Sequence, residues 1–371
     1  MKIAQLVSPW LSVPPKGYGG TELIAHYITE GLVKKGHEVT LFASGDSQTL
    51  AKLHSVFPKA LGNDGLLKAH PLNPMLHYIE CFERAGEFDI IHNHAQYLAM
   101  FLAHLTKIPV IHTIHGSFTK EDVPDDDRRQ TLSKFKNHNF TSISNSQRKG
   151  LPGLNYVATV YNGIDLSEFE YSEEKGNYLC WLGRVTAKKG PVDAIEAAES
   201  LGMELKIAGA IDPTDRPYFE KSVKPLIDKS TLVSFREEIK REEKGTLYKN
   251  ALCTLYPIHW EEPFGLVMAE SMACGTPVIA FNHGSVPEII KDGVTGFIID
   301  SDNEEREGKG GFIIKKQGVE GLVEATRRIK EIDRKACREH VEKNFTVNRM
   351  VDNYEGLYKE IIEKSIPSSS Y

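Results

Sequence analysis

Cysteine is scarce in this sequence, and its spacing excludes two common kinds of stabilised small domain. Five cysteines occur in 371 residues, an odd number, and they stand far apart in mostly apolar surroundings. Disulfide frameworks and four-cysteine zinc sites need even sets or closely spaced pairs. We therefore expect free thiols and a reducing compartment such as the cytoplasm. The five residues are Cys81, Cys180, Cys253, Cys274 and Cys337.

Long apolar runs and a secretion leader are also missing. No stretch approaches the roughly 18 residues that a membrane-spanning helix requires. The first residues have the pattern of a strand and lack the charged start and small-residue cleavage site of a signal peptide. The sequence thus predicts neither a transmembrane segment nor secretion.

A large excess of positive charge is absent as well. Lysine and arginine number 45 against 51 acidic residues, which gives a net charge of −6, and the two signs are interspersed. Nucleic-acid-binding proteins usually carry a basic stripe, so we expect no nucleic-acid partner. With 40% hydrophobic residues, a chain of this length can form two cores.

The glycine fingerprints of two large nucleotide-binding classes do not occur. Gly17, Gly19 and Gly20 follow the first predicted strand, but they form neither the three spaced glycines of the dinucleotide fold nor a P-loop with its lysine. An NAD oxidoreductase is therefore disfavoured. A glycine pair at a helix start still lets backbone approach a phosphate or sugar closely, although such a pair can equally form a simple turn.

Both halves of the chain alternate short apolar strands with helical patterns. This alternation predicts an α/β protein with two Rossmann-like, doubly wound parallel sheets. In the first half a helix is expected to begin at an N-cap Thr21, and in the second half a helix begins at Pro191. We place domain limits at 1–169 and 170–345, followed by an amphipathic helix in 346–371. The predicted strands are 3–7, 39–43, 88–92, 109–112, 141–144, 178–182, 205–208, 232–235, 253–256 and 278–281.

Residues 260–287 have the pattern loop, short helix, loop, strand. Pro263 and Gly265 prevent a helix from entering, so the helix begins near residues 264–266, where its unpaired amides and dipole favour an anion. Glu262 precedes the helix and Glu270 lies inside it, with seven residues between them. Carboxylates accept hydrogen bonds from hydroxyls, which sugars carry on both sides of a nucleotide diphosphate. The alternative is a surface helix with two solvated glutamates.

A second basic loop follows the first strand of the second half. Arg184 and Lys189 stand five positions apart and offer a planar fork and a point charge to one diphosphate. On spacing alone, both side chains fit equally well as solvated surface residues.

Together these segments resemble the signature of the family 4 glycosyltransferases. The resemblance rests on Glu, seven residues, Glu, on Phe264-Gly265-Leu266, on Gly-Arg followed by Lys-Gly, on Gly19-Gly20-Thr21-Glu22, and on the segment from Asn162-Gly163 to Phe169. It covers nearly the whole chain. It implies the GT-B fold, in which two Rossmann-like domains face a cleft, the first on the acceptor side and the second holding the donor. It also implies a last helix that crosses back to the first domain.

The resemblance also assigns residue roles. Glu262 lies near the transferred sugar, Glu270 binds the nucleotide ribose, and Arg184 and Lys189 are diphosphate ligands. His115, followed by Gly116, contacts the donor sugar. The catalytic candidates are Glu262, His115, Arg184 and Lys189. The donor-binding candidates are Gly19, Gly20, His115, Arg184, Lys189, Glu262, Phe264, Gly265, Leu266 and Glu270.

The implied reaction is transfer of a hexose, with retention, from a UDP-, GDP- or ADP-sugar to a hydroxyl acceptor. That acceptor is a sugar, a lipid-linked molecule or a small molecule, and no side-chain nucleophile is needed. Three alternatives stay open. They are a sugar-nucleotide epimerase of the same fold, a glycoside phosphorylase, and a catalytically idle nucleotide-sugar-binding protein.

We expect no metal and no other cofactor. His92, His94, His112 and His115 lie close in sequence, but no carboxylate or cysteine joins them at ligand spacing. Two pairs, Asp125 with Asp127 and Asp300 with Asp302, have the Asp-x-Asp spacing of the other large glycosyltransferase fold. Both pairs fall in acidic segments without supporting context, and 300–318 is predicted to be an exposed charged loop.

Overall fold

The computed structural model describes residues 1–62, 72–95, 97–120, 127–302 and 308–365. It divides the chain into two compact units, Met1–Gly163 with Val347–Tyr371, and Ile164–Thr346. The functional domain limits predicted above, 1–169, 170–345 and 346–371, stay a prediction. Among the described helices, none is long and apolar enough to cross a membrane.

The first unit contains a seven-stranded sheet in which every pairing is parallel. The strand order is β3-β2-β1-β4-β5-β6-β7, so the order reverses between β1 and β4. The strands are β1 Lys2–Leu6, β2 Glu38–Phe42, β3 Lys52–His54, β4 Ile90–Asn93, β5 Val110–Thr113, β6 Asn139–Ser142 and β7 Tyr156–Thr159. The helices are α1 Gly20–Lys34, α2 Leu72–Glu83, α3 Leu98–Ala103, α4 Asp127–Lys134 and α5 Asn145–Lys149.

The last helix of the chain, Val347–Ser365, belongs to this first unit and packs against α1. Its buried side chains recur at the helical period, which is how an amphipathic helix covers a core. Gly31 of α1 makes the close approach possible, because a Cβ there would lie 2.5 Å from a methyl carbon of Val351. The buried residues are Met350, Val351, Tyr354, Leu357, Tyr358 and Ile361.

The second unit contains a six-stranded parallel sheet of order β10-β9-β8-β11-β12-β13, which reverses between β8 and β11. Its strands are β8 Tyr178–Leu182, β9 Leu205–Ala208, β10 Val233–Arg236, β11 Ala251–Tyr256, β12 Val278–Phe281 and β13 Gly296–Ile299. Its helices are α6 Pro191–Leu201, α7 Arg216–Tyr218, α8 Lys224–Lys229, α9 Arg241–Lys249, α10 Leu266–Ala273, α11 Val286–Ile289, α12 Gly318–Arg328 and α13 Arg334–Asn344, and the last helix of the chain is α14.

The predicted doubly wound α/β class is confirmed, and three details of the prediction are wrong. Thr21 is not an N-cap, because α1 already begins at Gly20 and the carbonyl of Gly19 accepts the bond from Leu23. Strands β3 and β13 were not predicted. β3 has only three residues, and β13 starts at Gly296, where a Cβ would lie 1.9 Å from the carbonyl oxygen of Val278.

In its described part, the charged segment after β13 is largely exposed, as predicted, but two of its residues are buried. Asp300 is buried, and its carboxylate accepts the backbone N–H of Gly310 at 2.9 Å. Asp292 accepts the N–H of Ile313 at 2.7 Å, and Ile314 is buried. The described part of 300–318 is therefore fastened to the second unit at several points.

Candidate functional site

A buried carboxylate with three donors lies next to the reversal of strand order in the second sheet. One oxygen of Glu262 accepts hydrogen bonds from Lys189 Nζ at 2.5 Å, Tyr256 Oη at 2.5 Å and Trp260 Nε1 at 3.0 Å. The ammonium of Lys189 also stands over the Trp260 ring, 4.5 Å from its centroid. We call Lys189, Tyr256, Trp260 and Glu262 the Glu262 cluster. In open parallel sheets, ligands bind outside the carboxyl ends of the strands at such a reversal.

Local packing fixes Lys189 within the cluster. It ends a single helical turn after β8, and its carbonyl accepts the indole N–H of the buried Trp181 at 3.0 Å. The next residue, Gly190, has φ 64° and lies so close to the Pro257 carbonyl that a Cβ would be 1.8 Å from that oxygen. Only glycine suits this position, so the turn holds Lys189 in one place.

The helix α10 starts beside the same carboxylate. Its N-cap, Gly265, has φ 79°, and a Cβ there would lie 3.2 Å from Glu262 Cγ. Ser285 anchors the loop by donating its N–H to the Glu262 carbonyl and its hydroxyl to the Phe264 carbonyl, both at 2.8 Å. Leu266 is the first helical residue, so α10 begins where the sequence predicted, and its unpaired first amides follow directly after the loop that carries Glu262.

Glu270 is buried on α10 with two donors from helix α9. Its carboxylate accepts from the Tyr248 hydroxyl at 3.0 Å and from Lys244 Nζ at 3.3 Å. Burial, together with the negative charge of Glu270, raises the pKa of Tyr248 well above its usual range. The Tyr248 hydroxyl therefore stays protonated and donates a hydrogen bond. Glu270 is a fixed acceptor instead of a solvated surface residue.

Arg184 follows β8, the strand at the reversal, but its side chain is 45% exposed. Its Nε lies 3.4 Å from a carboxylate oxygen of Asp215. Among the described hydrogen bonds and ion pairs, none joins Arg184 to the Glu262 cluster. The structure thus brings Lys189, Glu262 and the start of α10 together and places Arg184 nearby in the chain with a different partner.

The remaining predicted residues lie in the first unit. Gly20 begins α1, and a Cβ at Gly19 would lie 2.7 Å from the ring of Pro15. His115 comes two residues after β5 ends, is half-buried and precedes the exposed Gly116. Its Nε2 lies 2.9 Å from Nδ1 of the buried His94, and burial lowers the pKa of His115 to about 4.

The described part of the chain contains no group of three or more histidine, cysteine, aspartate or glutamate side chains that could hold a metal ion. The four histidines considered above for a metal site, His92, His94, His112 and His115, form hydrogen bonds to other side chains. His92 contacts Thr113, and His112 contacts Asn93. Asp125 lies outside the described residues, and the carboxylate of Asp300 accepts a hydrogen bond from the Gly310 amide.

Two families of known proteins match the chain, each over one part of it. The family described as Glycosyltransferase Family 4 matches residues 18–168, and the family described as Glycosyl transferases group 1 matches residues 165–310. The chain belongs to the family 4 glycosyltransferases. An uncharacterized glycosyltransferase of Methanocaldococcus jannaschii is 27% identical to it over 337 residues, which are 80% of this chain and 84% of the relative. A D-inositol 3-phosphate glycosyltransferase of Thermobifida fusca is 26% identical over 339 residues, covering 76% and 77%.

Solved structures match the fold over almost the whole chain. Sucrose-phosphate synthase from Thermosynechococcus elongatus has a TM-score of 0.79 at 19% identity, covering 98% of this chain and 100% of the other. An Anabaena protein solved in complex with UDP and glucose has a TM-score of 0.72 at 17% identity, covering 97% and 100%. This family 4 glycosyltransferase therefore has the GT-B fold.

Four residues of the site were missed by the sequence reasoning. Tyr256 ends an apolar strand, where an aromatic residue is expected to be core, and Trp260 precedes the motif. Lys244 and Tyr248 lie on α9, more than twenty positions before their partner Glu270. The position of Tyr256 at the carboxyl end of a predicted parallel strand was the one usable signal.

Proposed function

We propose that this protein transfers a hexose, with retention of configuration, from a nucleotide diphosphate sugar to a hydroxyl acceptor. The observation that carries the proposal is the Glu262 cluster beside the first turn of α10, at the strand-order reversal of the second sheet. A cation and a helix N-terminus side by side suit a diphosphate. The buried acceptors Glu262 and Glu270 suit hydroxyls on either side of it.

In the proposed reaction, the bond between the sugar C1 and the diphosphate oxygen breaks and a bond from C1 to the acceptor oxygen forms on the same face. The leaving diphosphate keeps the electron pair and takes the proton of the acceptor hydroxyl. Lys189, Arg184 and the amides of α10 would stabilise the charge that grows on it. Glu262 holds Lys189 in the free protein, so donor binding would exchange part of that contact for the phosphate.

The comparisons support this class of donor. The Anabaena neighbour was solved with UDP and glucose, and a starch synthase IV of Arabidopsis thaliana was solved with ADP and acarbose. We propose a UDP-, GDP- or ADP-sugar donor, and an acceptor that is a sugar, a lipid-linked molecule or a small molecule. The predicted role of His115 in contacting the donor sugar stays part of the proposal.

A screen of nucleotide sugars tests the proposal. A donor present at 100 times its Kd should stabilise the protein by about 2.7 kcal/mol, which a thermal-shift assay detects. With that donor, nucleotide release should depend on an added hydroxyl acceptor. Conversion without an acceptor would indicate an epimerase, and a requirement for inorganic phosphate or a nucleotide-free glycoside would indicate a phosphorylase. Binding without turnover would indicate a sensor.

Metal independence is a separate prediction. A diphosphate leaving group needs cationic partners, and enzymes without protein cations use magnesium or manganese held by carboxylates. Here Lys189, Arg184 and the α10 amides are proposed to serve, so turnover should be unchanged in excess EDTA. Complete loss of activity that manganese restores would overturn the roles of Lys189 and Arg184.

Glu270 gives a third prediction. Its two donors, Lys244 and Tyr248, fix it where it would bind ribose hydroxyls that do not change during the reaction. Losing an interaction that is equally strong in the ground state and the transition state raises KM without lowering kcat, so Glu270→Ala should raise the donor KM more than it lowers kcat. Tyr248→Phe is the matched variant and should have a smaller effect of the same kind. A large fall in kcat at constant KM would place Glu270 at the reacting centre.

We further propose that the protein works in the cytoplasm. All five cysteines are free and buried, and burial raises the pKa of Cys180, Cys274 and Cys337 to about 12. Such thiols are protonated and suit a reducing compartment.

A further inference from the structure

His115 is one end of a hydrogen-bonded chain of buried side chains in the first unit. From His115 the chain runs through His94 to Gln5, then to Tyr358 of the last helix and on to His92. Apart from His115, all of these side chains are buried. The rings of His92 in β4 and of His94, which follows β4, lie with their centroids 3.8 Å apart and are tilted by 41° to each other. The His115 ring, two residues after β5, is therefore connected to the last helix by a continuous series of side-chain hydrogen bonds.

The three histidines of this hydrogen-bonded chain, His92, His94 and His115, are neutral at pH 7. Burial lowers the pKa of His92 and of His94 well below the usual value and that of His115 to about 4. A neutral imidazole has one N–H and one acceptor nitrogen, so each ring can donate on one side and must accept on the other. The hydrogen bonds of the chain must consequently all run in one direction.

The contacts of Gln5 set that direction. Its amide nitrogen donates to the Tyr358 hydroxyl at 3.2 Å, and its amide oxygen lies 3.0 Å from His94 Nε2. His94 Nε2 must then carry the proton, which leaves His94 Nδ1 as an acceptor. His115 Nε2 lies 2.9 Å from this nitrogen and therefore donates to it.

The other side of Tyr358 agrees with this direction. Its hydroxyl accepts from Gln5, so its own proton points to His92 Nδ1, 2.5 Å away. Hydroxyl donors make shorter hydrogen bonds than N–H donors, and this contact is shorter than either contact of Gln5.

We propose that Gln5, His94 and Tyr358 are positioning residues that hold His115 with its proton on Nε2, so that Nδ1 accepts a hydrogen bond from a ligand hydroxyl. That the hydroxyl belongs to a sugar rests on the proposed function, whereas the position of the proton does not. Rotating the Gln5 amide by half a turn would reverse every bond in the chain. His115 Nδ1 would then be a donor.

The two directions are distinguishable by NMR of the full-length protein labelled with ¹⁵N-histidine. Nitrogen–carbon-bound-proton correlations separate a protonated ring nitrogen from an unprotonated one, and His115→Ala identifies the His115 signals. We expect a protonated Nε2 and an unprotonated Nδ1 at pH 7. A protonated Nδ1 on His115 would overturn the proposal, whatever reaction the protein catalyses.

Two variants test the positioning role. Gln5→Met removes both amide contacts, and Tyr358→Phe removes the hydroxyl that orients Gln5, so either should give averaged His115 nitrogen shifts. Tyr354→Phe is the matched control, because Tyr354 is equally buried on the same helix and its hydroxyl contacts Thr113, which lies beyond His92 at the end of the hydrogen-bonded chain farthest from His115. In turnover assays kcat/KM should fall about tenfold for the first two variants, the effect of one lost hydrogen bond, with the control unchanged. Unaltered His115 shifts in folded Gln5→Met and Tyr358→Phe would contradict the role.

Discussion

Lys189→Ala is expected to lower kcat by on the order of 10² to 10³, the usual loss for one preorganised donor at a site of developing charge. The ammonium is held by Glu262, Tyr256 and the Trp260 ring, and Gly190 fixes the backbone behind it. A hydrogen-bond donor that is fixed before the reaction begins needs no reorganisation as charge accumulates on the diphosphate. The change should therefore affect kcat more than the donor KM.

The neighbouring lysine supplies the control. Lys188 is exposed, and its ammonium lies 6.0 Å from the Trp260 centroid, farther than that of Lys189. Lys188→Ala should keep kcat within about twofold of wild type, since exposed charges contribute little. Equal losses in the two variants would mean that a general positive field, and not a placed donor, supports the reaction.

Removing Lys189 also leaves Glu262 without its charged partner. Tyr256 and Trp260 still donate to that carboxylate, which should limit the loss of stability. The double variant Lys189→Ala with Glu262→Gln removes the uncompensated charge and separates the two effects. If it regains stability and not turnover, the loss belongs to the reaction. Recovered turnover would show that Lys189 only neutralises Glu262.

Arg184→Ala should give a loss in the same range, if Arg184 leaves Asp215 when the diphosphate binds. Near-normal turnover would mean that the guanidinium keeps its place beside Asp215, and the diphosphate contacts would then reduce to Lys189 and α10. The sequence motif predicts the same role for Arg184 and Lys189, but in the free protein Arg184 lies beside Asp215 and Lys189 contacts Glu262. The experiment decides whether both bind the diphosphate.

The sequence was sufficient for the elements that position the site. Strands β8, β9 and β12 and helix α10 have the predicted bounds, because each is a short apolar or helix-forming run bounded by glycine or proline. The sequence could not predict β13, because its first residue is a glycine required by the neighbouring Val278 carbonyl. A requirement set by a partner strand is not present in the local pattern.

The site was predicted in part for a similar reason. Glu262 and Lys189 carry motif spacing, and the structure places them in one hydrogen bond. Tyr256 and Trp260 have no such spacing, and their role depends on which atoms meet after folding. Within 300–318 the sequence could not show that Asp300 is buried, because an aspartate with a backbone amide partner has the same local sequence as a solvated one.

The buried histidines of the first unit are expected to make its stability depend strongly on pH. Burial lowers the pKa of His77 and His115 to about 4 and that of His112 to about 3, and in the unfolded chain all three have the ordinary value near 6.5. Below pH 6.5 the unfolded state therefore binds more protons than the folded state. Stability is complete above pH 6.5 and falls as the pH drops toward 4.

The expected loss is large. By linkage, each of these three histidines lowers the free energy of unfolding by about 2 kcal/mol between pH 7 and pH 5, or about 6 kcal/mol together. A typical domain has only about 5–15 kcal/mol in total. His92 and His94, whose pKa values burial also lowers, act in the same direction. Urea unfolding at pH 7 and pH 5 measures the difference. Trp10 reports on the first unit when Trp181 and Trp260, both in the second, are replaced by phenylalanine.

His77→Gln identifies the cause of that loss. His77 is fully buried and its Nε2 lies 2.9 Å from the Val7 carbonyl, a contact that a glutamine amide can also make. The variant lacks one titrating ring, so its loss between pH 7 and pH 5 should be smaller than that of the wild type by about 2 kcal/mol. Carboxylates whose pKa is lowered, such as Glu355 with a pKa of about 2, stabilise the folded state above the ordinary carboxyl pKa of 4.5 and lose this contribution only as the pH falls below it, so they add little between pH 7 and pH 5. An unchanged difference in His77→Gln would show that other groups cause the acid sensitivity.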